Sequence, residues 1–455
     1  MLDRRVEQLG NQRARPSQTR MTELIESKEK RRFGWVVILR FVVAIIVWFF
    51  CYQLIVGSAR TGLSRLFTMV AIVQPTVEPA DLAVKISPAD PEAHYTRGLT
   101  LINLQRLPEA VVELRQAIQL RPHHYYQWLD LGVTLDRLGD QAGAAAALQK
   151  SVELAPSFAQ PRWQRGNLLF RQGTYEEAFQ DLRLAVKSNP SLSEGMLELA
   201  WVAADNDVNR FEALVKPETS LKRFELAAFL ARQEQSAEVV NQIRIAGQPQ
   251  GEADLNFLRQ AITKLLADQK FADAYAAWSL THPTLVGEGS KGSGILNGDF
   301  ANPIPQNDPG FGWQLAVVPN IAMSIDTGGP QPGARSIQLE YKGESASGSQ
   351  PIRQLVLLEK DTRYSLSFMA KTDNLVTGGP PEVVIFDGAE TRLLGQSGPI
   401  SAGTTGWTPH NVDFYVDENT SAVHIGLQRV ACSQNPCPAF GRLWLSNFVV
   451  TKKRS

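Results

Sequence analysis

The chain has 455 residues, room for about two to four domains of ordinary size, so a single small module is excluded. Its 46 Lys and Arg balance its 46 Asp and Glu, and this zero formal charge argues against nucleic-acid binding through a basic surface. Hydrophobic residues make up 44% and charged residues 20%, which is typical of globular proteins with buried cores. Three cysteines are too few for a scaffold built on disulfides.

The N-terminal pattern predicts a membrane anchor. Residues 1–32 form a polar tail with nine basic and five acidic residues. From there to Ala59 the only charge is Arg40, near the end of the stretch, where a long side chain can reach the lipid headgroups. Phe41 to Ala59 is an uncharged run close to the ~20 residues of a spanning helix. We therefore predict a transmembrane helix over 33–59 and a connector over 60–79.

Basic residues near the predicted helix indicate its orientation. They are retained on the cytoplasmic side, and after the helix only Arg60 and Arg65 follow closely. This predicts a single-pass membrane protein with a cytoplasmic N-terminus and a periplasmic or otherwise extracytoplasmic bulk. Cleavage after Gly57-Ser58-Ala59 stays an alternative, although a polar leader of this length is long for a signal peptide. Cys51 follows two phenylalanines, so we interpret it as lipid-facing and unmodified.

A period of 34 residues organises the middle of the chain. Within one period the apolar residues recur at helical spacing on two consecutive segments, which predicts a helical hairpin. Gly and Ala suit positions where the two helices approach closely, and Pro ends the second helix. The columns in register are Pro88, Pro122, Pro156 and Pro190; Gly98, Gly132 and Gly166; Ala110, Ala144 and Ala178; and Leu114, Leu148 and Leu182.

This pattern resembles the tetratricopeptide repeat family in unit length and column order. The resemblance implies an all-α solenoid over about 80–283, with full repeats at about 91–124, 125–158 and 159–192 followed by degenerate repeats. A preceding half-unit is indicated by Ala83 and Pro88. The resemblance also implies a concave face that binds a protein partner. Candidates for that face, with solvated or inter-repeat positions as the alternative, are Arg97, Tyr125, Tyr126, Asp130, Arg162 and Arg165.

The C-terminal third changes to strand periodicity. Residues 284–294 have the composition of a Gly/Ser linker, and they contain the spacing Gly287-x-Gly289-x-x-Gly292 without the strand and helix that a dinucleotide site needs. Beyond the linker, alternating segments separated by Gly, Pro, Asn and Asp predict an all-β sandwich over 295–452. The predicted strands are 336–341, 364–370, 412–416, 422–427 and 443–450.

The sandwich resembles carbohydrate-binding modules of the galactose-binding-like jelly-roll type, through Asn297-Gly-Asp-Phe300, Gly312-Trp313, Gly406-Trp407 and the closing strand. The resemblance implies a possible glycan ligand stacked on Trp313 and Trp407, with burial in the core as the alternative. Modules of this type often hold a structural calcium through an acidic residue of the last strand. The strand here has Asn447 before Phe448 and no carboxylate, so we expect no metal.

Two further features complete the expectation. Cys432 and Cys437 flank a short loop and can form a disulfide if the chain is exported. The six histidines form no zinc-binding helix motif, and no nucleophile-elbow or phosphate-loop motif is present, so we expect no catalytic residue and no cofactor.

We therefore expect a multi-domain chain of one transmembrane helix, an all-α tetratricopeptide solenoid and an all-β jelly-roll sandwich. The expected function is a non-catalytic scaffold that binds a protein partner on the outer face of the cytoplasmic membrane, in envelope or surface-polysaccharide assembly. The alternatives are a glycan-binding receptor and a hydrolytic enzyme with an unrecognised site.

Overall fold

The computed structural model describes residues 18–73, 76–289, 294–306, 308–432 and 436–453, without the side chains of 18–34, 36 and 287–289. The chain forms two compact units that divide between Met196 and Leu197. Part of the predicted cytoplasmic tail, residues 1–17, lies outside the described residues. The same is true of residues 290–293 of the predicted linker, including Gly292.

The first unit is helical. Its longest element is α1, a single helix that contains the predicted membrane span and continues through most of the segment expected as a connector. The helices are α1 (Gln18–Val73), α2 (Glu78–Ile86), α3 (Pro91–Asn103), α4 (Leu107–Leu120), α5 (Tyr125–Arg137), α6 (Gln141–Leu154), α7 (Ala159–Arg171) and α8 (Tyr175–Ser188).

Helix α1 is long and apolar enough over Val37–Val73 to cross a membrane, and it is the one such helix among the described residues. The large side chains between Ile38 and Ile55 are solvent-exposed because no other part of the described chain packs on them. Such a surface is stable in hydrocarbon and costly in water.

The repeats pack through the small residues of the 34-residue columns. A Cβ added to Gly98 would lie 3.1 Å from the side chain of Leu114, and one added to Gly132 would lie 2.6 Å from Leu148. Gly166 meets Leu182 in the same way, at 2.8 Å. The alanines of the neighbouring column are fully buried. Each proline of the repeating column follows the residue that caps the second helix, where a helix cannot continue.

The second unit continues with helices and then strands. Its helices are α9 (Ser193–Ala204, starting just before the boundary), α10 (Val208–Val215), α11 (Ser220–Arg232), α12 (Ser236–Ala246), α13 (Glu252–Ala267), α14 (Phe271–Thr281) and α15 (Pro283–Gly289). The first residues of the expected flexible linker, 284–289, are therefore helical. Pro283 at the first position of α15 has the φ angle a helix start needs, which explains the departure from the composition-based prediction.

Two five-stranded antiparallel sheets follow, with strand orders β1-β4-β9-β6-β7 and β2-β3-β10-β5-β8. Their inner faces share one core, to which β3, β5 and β10 contribute from one sheet and β4, β6 and β9 from the other. The strands are β1 (Gln314–Leu315), β2 (Ile321–Asp326), β3 (Ser336–Glu344), β4 (Ile352–Val356), β5 (Thr362–Thr377), β6 (Pro381–Asp387), β7 (Leu393–Gln396), β8 (Gly403–Val416), β9 (Val423–Arg429) and β10 (Pro438–Lys452).

Within the second unit the last long helix packs directly on the start of the β region. The Trp278 side chain on α14 is fully buried, and its Nε1 donates to both carboxylate oxygens of Asp308, at 3.0 and 2.9 Å. The Trp278 ring lies against Gly310, where any Cβ would collide with it, and 5.9 Å from the ring centre of Phe311. This contact joins α14 to the segment that precedes β1.

Candidate protein-binding surface of the helical repeats

The repeat array begins inside α1. Ser64 lies 34 residues before Gly98 and is fully buried, and its hydroxyl donates to the Ala83 carbonyl of α2 at 3.0 Å. Thr68 and Ala71, also buried, follow at helical spacing. The last turns of α1 thus supply the first helix of the half-unit that the sequence indicated around Ala83.

Side-chain bonds join the first helices of successive pairs. The Tyr95 hydroxyl of α3 donates to Asp130 Oδ2 of α5 at 2.6 Å, over a separation of 35 residues. Arg171 of α7 donates to Asp136 of α5, again 35 residues away. Neighbouring first helices are therefore held side by side in one row, and their free sides form a continuous surface.

We name this surface the inner face. Its members are partly exposed side chains that recur at helical spacing on α3, α5 and α7. They are Tyr95, Leu99, Ile102, Tyr126, Asp130, Val133, Trp163, Asn167 and Phe170. Aromatic and aliphatic side chains thus surround one carboxylate.

The centre of the inner face is a preorganised aromatic and acidic group. The rings of Tyr95 and Tyr126 meet edge to face with centres 4.9 Å apart, and His124 lies against Tyr126 at 5.3 Å. Burial raises the pKa of Asp130, although the hydrogen bond from Tyr95 opposes this effect. Burial and the bond to Asp130 also raise the pKa of Tyr95. Rigid rings beside a half-buried acceptor suit apolar contact together with a hydrogen-bond donor.

The predicted arginines of the concave face do not belong to it. Arg97 binds Asp81 at 2.6 Å and Glu113 at 2.5 Å, between helices that pack together. Of the two interpretations that the sequence left open for Arg97, Arg162 and Arg165, their contacts fit the inter-repeat positions, because carboxylates of the repeats hold their guanidinium groups.

The carboxylate that holds Arg162 and Arg165 is Asp181, whose side chain is 1% exposed. Arg162 donates to it at 3.0 Å, and Arg165 pairs with it as well. The same arrangement occurs two repeats, or 68 residues, earlier in the chain. There His94 corresponds to Arg162, Arg97 to Arg165, and Glu113 to Asp181.

In the first full repeat, His94 occupies the position that Arg162 occupies in the third. Its Nδ1 lies 2.6 Å from Glu113 Oε2 and its Nε2 lies 3.0 Å from the Pro88 carbonyl, so both ring nitrogens face acceptors. The hydrogen bond with Glu113 raises the pKa of His94 despite the opposing effect of burial. Burial alone would raise the pKa of Glu113, but the bond with His94 and the Arg97 charge lower it.

A second concavity lies in the second unit, between helices α13 and α14 and the strands β1, β2 and β4, with a volume of about 950 Å³. Three polar side chains from separate strands and loops meet there. Glu390 Oε1 is 2.6 Å from Arg353 and 3.4 Å from His424 Nε2. Burial lowers the pKa of His424, and within the described residues its buried Nδ1 has no hydrogen-bond partner. Sequence reasoning did not bring these three residues together.

The predicted glycan-stacking residues occupy different environments. Trp313 is 4% exposed, with its ring 5.3 Å from Phe300 and 5.0 Å from Phe448 and its Nε1 donating to the Asn297 carbonyl. A sugar cannot reach the Trp313 ring faces because core side chains cover them. Trp407 is partly exposed on β8.

Two of the three cysteines are bonded to each other. Cys432 and Cys437 are joined by a disulfide, with Cα atoms 6.0 Å apart, and Cys51 is free and exposed on α1. Among the described residues no group of three or more His, Cys, Asp or Glu side chains is arranged to hold a metal ion.

Comparison with known proteins identifies the repeats. The tetratricopeptide repeat model matches residues 95–159 and 129–193, which confirms the predicted tetratricopeptide repeats. The DnaJ homolog subfamily C member 3 of Bos taurus is 28% identical over 38% of this chain and 33% of its own length. The human protein of the same name is 30% identical over 30% of this chain and 27% of its own. The chain thus spans about a third of these relatives.

Similar solved structures cover single parts of the chain. YrrB, described as a tetratricopeptide protein with an unusual peptide-binding site, has a TM-score of 0.29 and 17% identity, over 35% of this chain and 86% of its own. A chain described as "CBM4 structure and function" has a TM-score of 0.26 and 14% identity, over 35% of this chain and 99% of its own.

Proposed function

We propose that this protein is a membrane-anchored, non-catalytic adaptor whose inner face binds a segment of a protein partner. Tetratricopeptide repeat proteins mediate protein–protein interaction. Specific to this chain are three proposed features: the inner face as the binding surface, α1 as the membrane anchor, and an extracytoplasmic position of the repeats. The observation that carries it is the preorganised group of Tyr95, Tyr126 and Asp130 on neighbouring first helices.

The chemistry of this group defines the partner segment. Tyrosine rings held by packing lose little conformational entropy on binding, so apolar or aromatic side chains of a partner gain affinity there. Asp130 favours a donor such as a lysine, an arginine or a backbone amide, because a half-buried carboxylate gains from each hydrogen bond. We therefore propose a partner segment that combines apolar anchors with at least one such donor.

The anchor raises the local concentration of the partner at the membrane. Helix α1 has the length and composition for a spanning segment, and tethering makes encounters on the same membrane effectively intramolecular. The excess of basic residues before the span supports a cytoplasmic N-terminus and an extracytoplasmic bulk. A reporter that is active only outside the cytoplasm, fused after Ser455, is expected to be active. Activity of a cytoplasm-dependent reporter alone would reverse the orientation.

The partner-binding proposal is tested by affinity purification of the full chain from its native membranes. Tyr126→Ala removes the central ring and is expected to reduce the co-purified partner at least tenfold, about the 1.4 kcal/mol that a modest hot spot carries. Val112→Ala is the matched control, because Val112 is exposed on the second helix α4. Equal recovery with both variants would refute the inner face as the binding surface.

The structure does not favour a glycan receptor as a second function. That alternative relied on Trp313 and Trp407, and the burial of Trp313 in the sandwich core removes half of that stacking pair. The expected role in envelope or surface-polysaccharide assembly rested on that resemblance and on the order of anchor, solenoid and sandwich, and it stays an expectation.

A further inference from the structure

The last turns of α1 have two different sides. Ser64, Thr68 and Ala71 are buried against the repeats. On the side away from them, large apolar side chains are exposed to solvent, including Leu66 at 60% and Val73 at 82%. An end helix of a solenoid normally needs a polar outer surface for solubility. The apolar outer side of α1 therefore requires a cover.

Lipid cannot cover the whole apolar outer side of α1. The apolar stretch Val37–Val73 has 37 residues, which is about 55 Å of helix, against a hydrocarbon core of about 30 Å. Even a tilt of about 40° places only about 26 residues in hydrocarbon. Because α2 bonds to α1 at Ser64, the excess lies at the end that carries the repeats.

The exposed residues follow a coiled-coil spacing. Leu63, Leu66, Val70 and Val73 are separated by three, four and three residues, the a and d positions of a heptad. The same register continues back through the predicted span without meeting a charge, at Ile38, Val42, Ile45, Phe49, Tyr52, Val56 and Ala59. Arg40, Arg60 and Arg65 all lie outside these positions.

We propose that a second copy of this chain covers this seam, so that two α1 helices pair in parallel and in register. The inference rests on the proposed anchoring, because a common membrane orientation makes the two helices parallel. In-register pairing places each seam residue beside its own copy, and no charged residue meets a like charge there.

Cysteine cross-linking of the full chain in membranes tests the seam. In a Cys51→Ser background, Leu66→Cys is expected to form an intermolecular disulfide on oxidation, because facing d residues of a parallel pair lie within bonding distance. Ile72→Cys is the matched control. Ile72 is 74% exposed, more than Leu66, but lies off the seam and is expected to cross-link at least tenfold less. Equal cross-linking at the two positions, or none at Leu66, would overturn the proposal.

Counting subunits gives an independent readout. The full chain in single nanodiscs is expected to bleach in two steps, and Val70→Glu is expected to give one step because it places two like charges in the seam. Single steps for the unmodified chain would contradict the pairing. If the Val70→Glu variant gives single steps and still co-purifies the protein bound by the inner face, then pairing of two copies and binding at the inner face are separate properties. If the unmodified chain leaves the membrane fraction, the anchoring itself is wrong.

Discussion

At the scale of single residues, the repeats depend on backbone positions that few residue types fit. The turn between the two helices of a pair passes through a left-handed residue, which is Gln105, Gly139 and Gly173 in the full repeats. These positions are again 34 residues apart. Gly adopts this conformation without strain, whereas a side chain raises its energy by about 1 kcal/mol.

Substitutions at left-handed residues of helix–helix turns, in the full repeats and in the later helices, are expected to act with opposite signs. Gly139→Ala puts a Cβ at φ +83° and should lower the stability of the α5–α6 pair by about 1 kcal/mol. Gln269→Gly relieves a side chain at φ 56° between α13 and α14 and should raise local stability by a similar amount, about 1 kcal/mol. Amide hydrogen exchange of the adjoining helices measures both changes. The same sign for both would contradict the role of the turn backbone.

His94 makes the first full repeat sensitive to pH. Its pKa is raised in the folded chain, so its contribution is fully present below the ordinary value near 6.5 and is lost as pH rises through the raised value. We expect protection of the α3 and α4 amides, corrected for intrinsic exchange, to fall as pH rises through the raised pKa of His94. His94→Gln should abolish this fall. An unchanged pH profile in the variant would refute the assignment.

At the scale of elements, one buried arginine at the end of β9 joins the segments at the ends of β3 and β5 to Cys437. Arg429 is 4% exposed and donates to the carbonyl oxygens of Gly379, Ser345 and Cys437 and to the hydroxyls of Ser345 and Thr377. Burial lowers its pKa. A planar guanidinium can satisfy these acceptors together, and an ammonium group cannot.

Arg429→Lys is therefore expected to destabilise this end of the sandwich by about 3 kcal/mol, because buried acceptors lose their donors. Hydrogen exchange of β9 and of the first residues of β10 measures the loss. Arg442→Lys is the control, since Arg442 is half-exposed and its change should stay within about 0.5 kcal/mol. Equal effects of the two substitutions would show that Arg429 has no special role.

The sequence predicted the repeats because their spacing reflects local packing. It predicted strands such as β3 and β5, whose side chains alternate between core and solvent. It missed β4 and β6, whose residues are buried without alternation. Leu355 of β4 lines the cleft with Phe271 of α14, while the buried Gln354 on the core side bonds the Leu296 backbone, so apolar and polar residues do not alternate along this strand.

The candidate surfaces were only partly predictable. Tyr126 and Asp130 were named from the repeat pattern, but the pattern could not show that Arg97 faces Glu113 of its own repeat and Asp81 of the preceding half-unit. The contact of Arg353, Glu390 and His424 joins strands and loops distant in the chain. Such a cluster depends on tertiary structure, which no local sequence signal records.

At the scale of the molecule, helix α14 and the β region of the second unit meet through buried aromatic side chains. Trp278 of α14 fills the space beside Gly310, and Phe271 of α14 touches Gly388 in the turn after β6. Large buried aromatic contacts of this kind make neighbouring elements unfold together. The region after Leu197 should therefore behave as one cooperative body.

Gly310→Ala tests this coupling. The new methyl group would collide with the Trp278 ring, so we expect a loss of about 3 kcal/mol that appears in α14 and in β1 alike. Hydrogen exchange resolves the two elements. Gly406→Ala, at a site with open space around it, should leave both unchanged. A loss confined to one element would mean that helices and strands unfold separately.

The inner face gives the whole chain its proposed role, and a photo-crosslinking amino acid placed at Tyr126 tests that role most directly. In native membranes it should yield one dominant protein adduct that is absent when the same group replaces Val112. Mapping should place the partner's cross-linked segment beside apolar side chains and a donor for Asp130, which is a lysine, an arginine or a free backbone amide. No adduct at position 126, or the same adducts at both positions, would contradict the account.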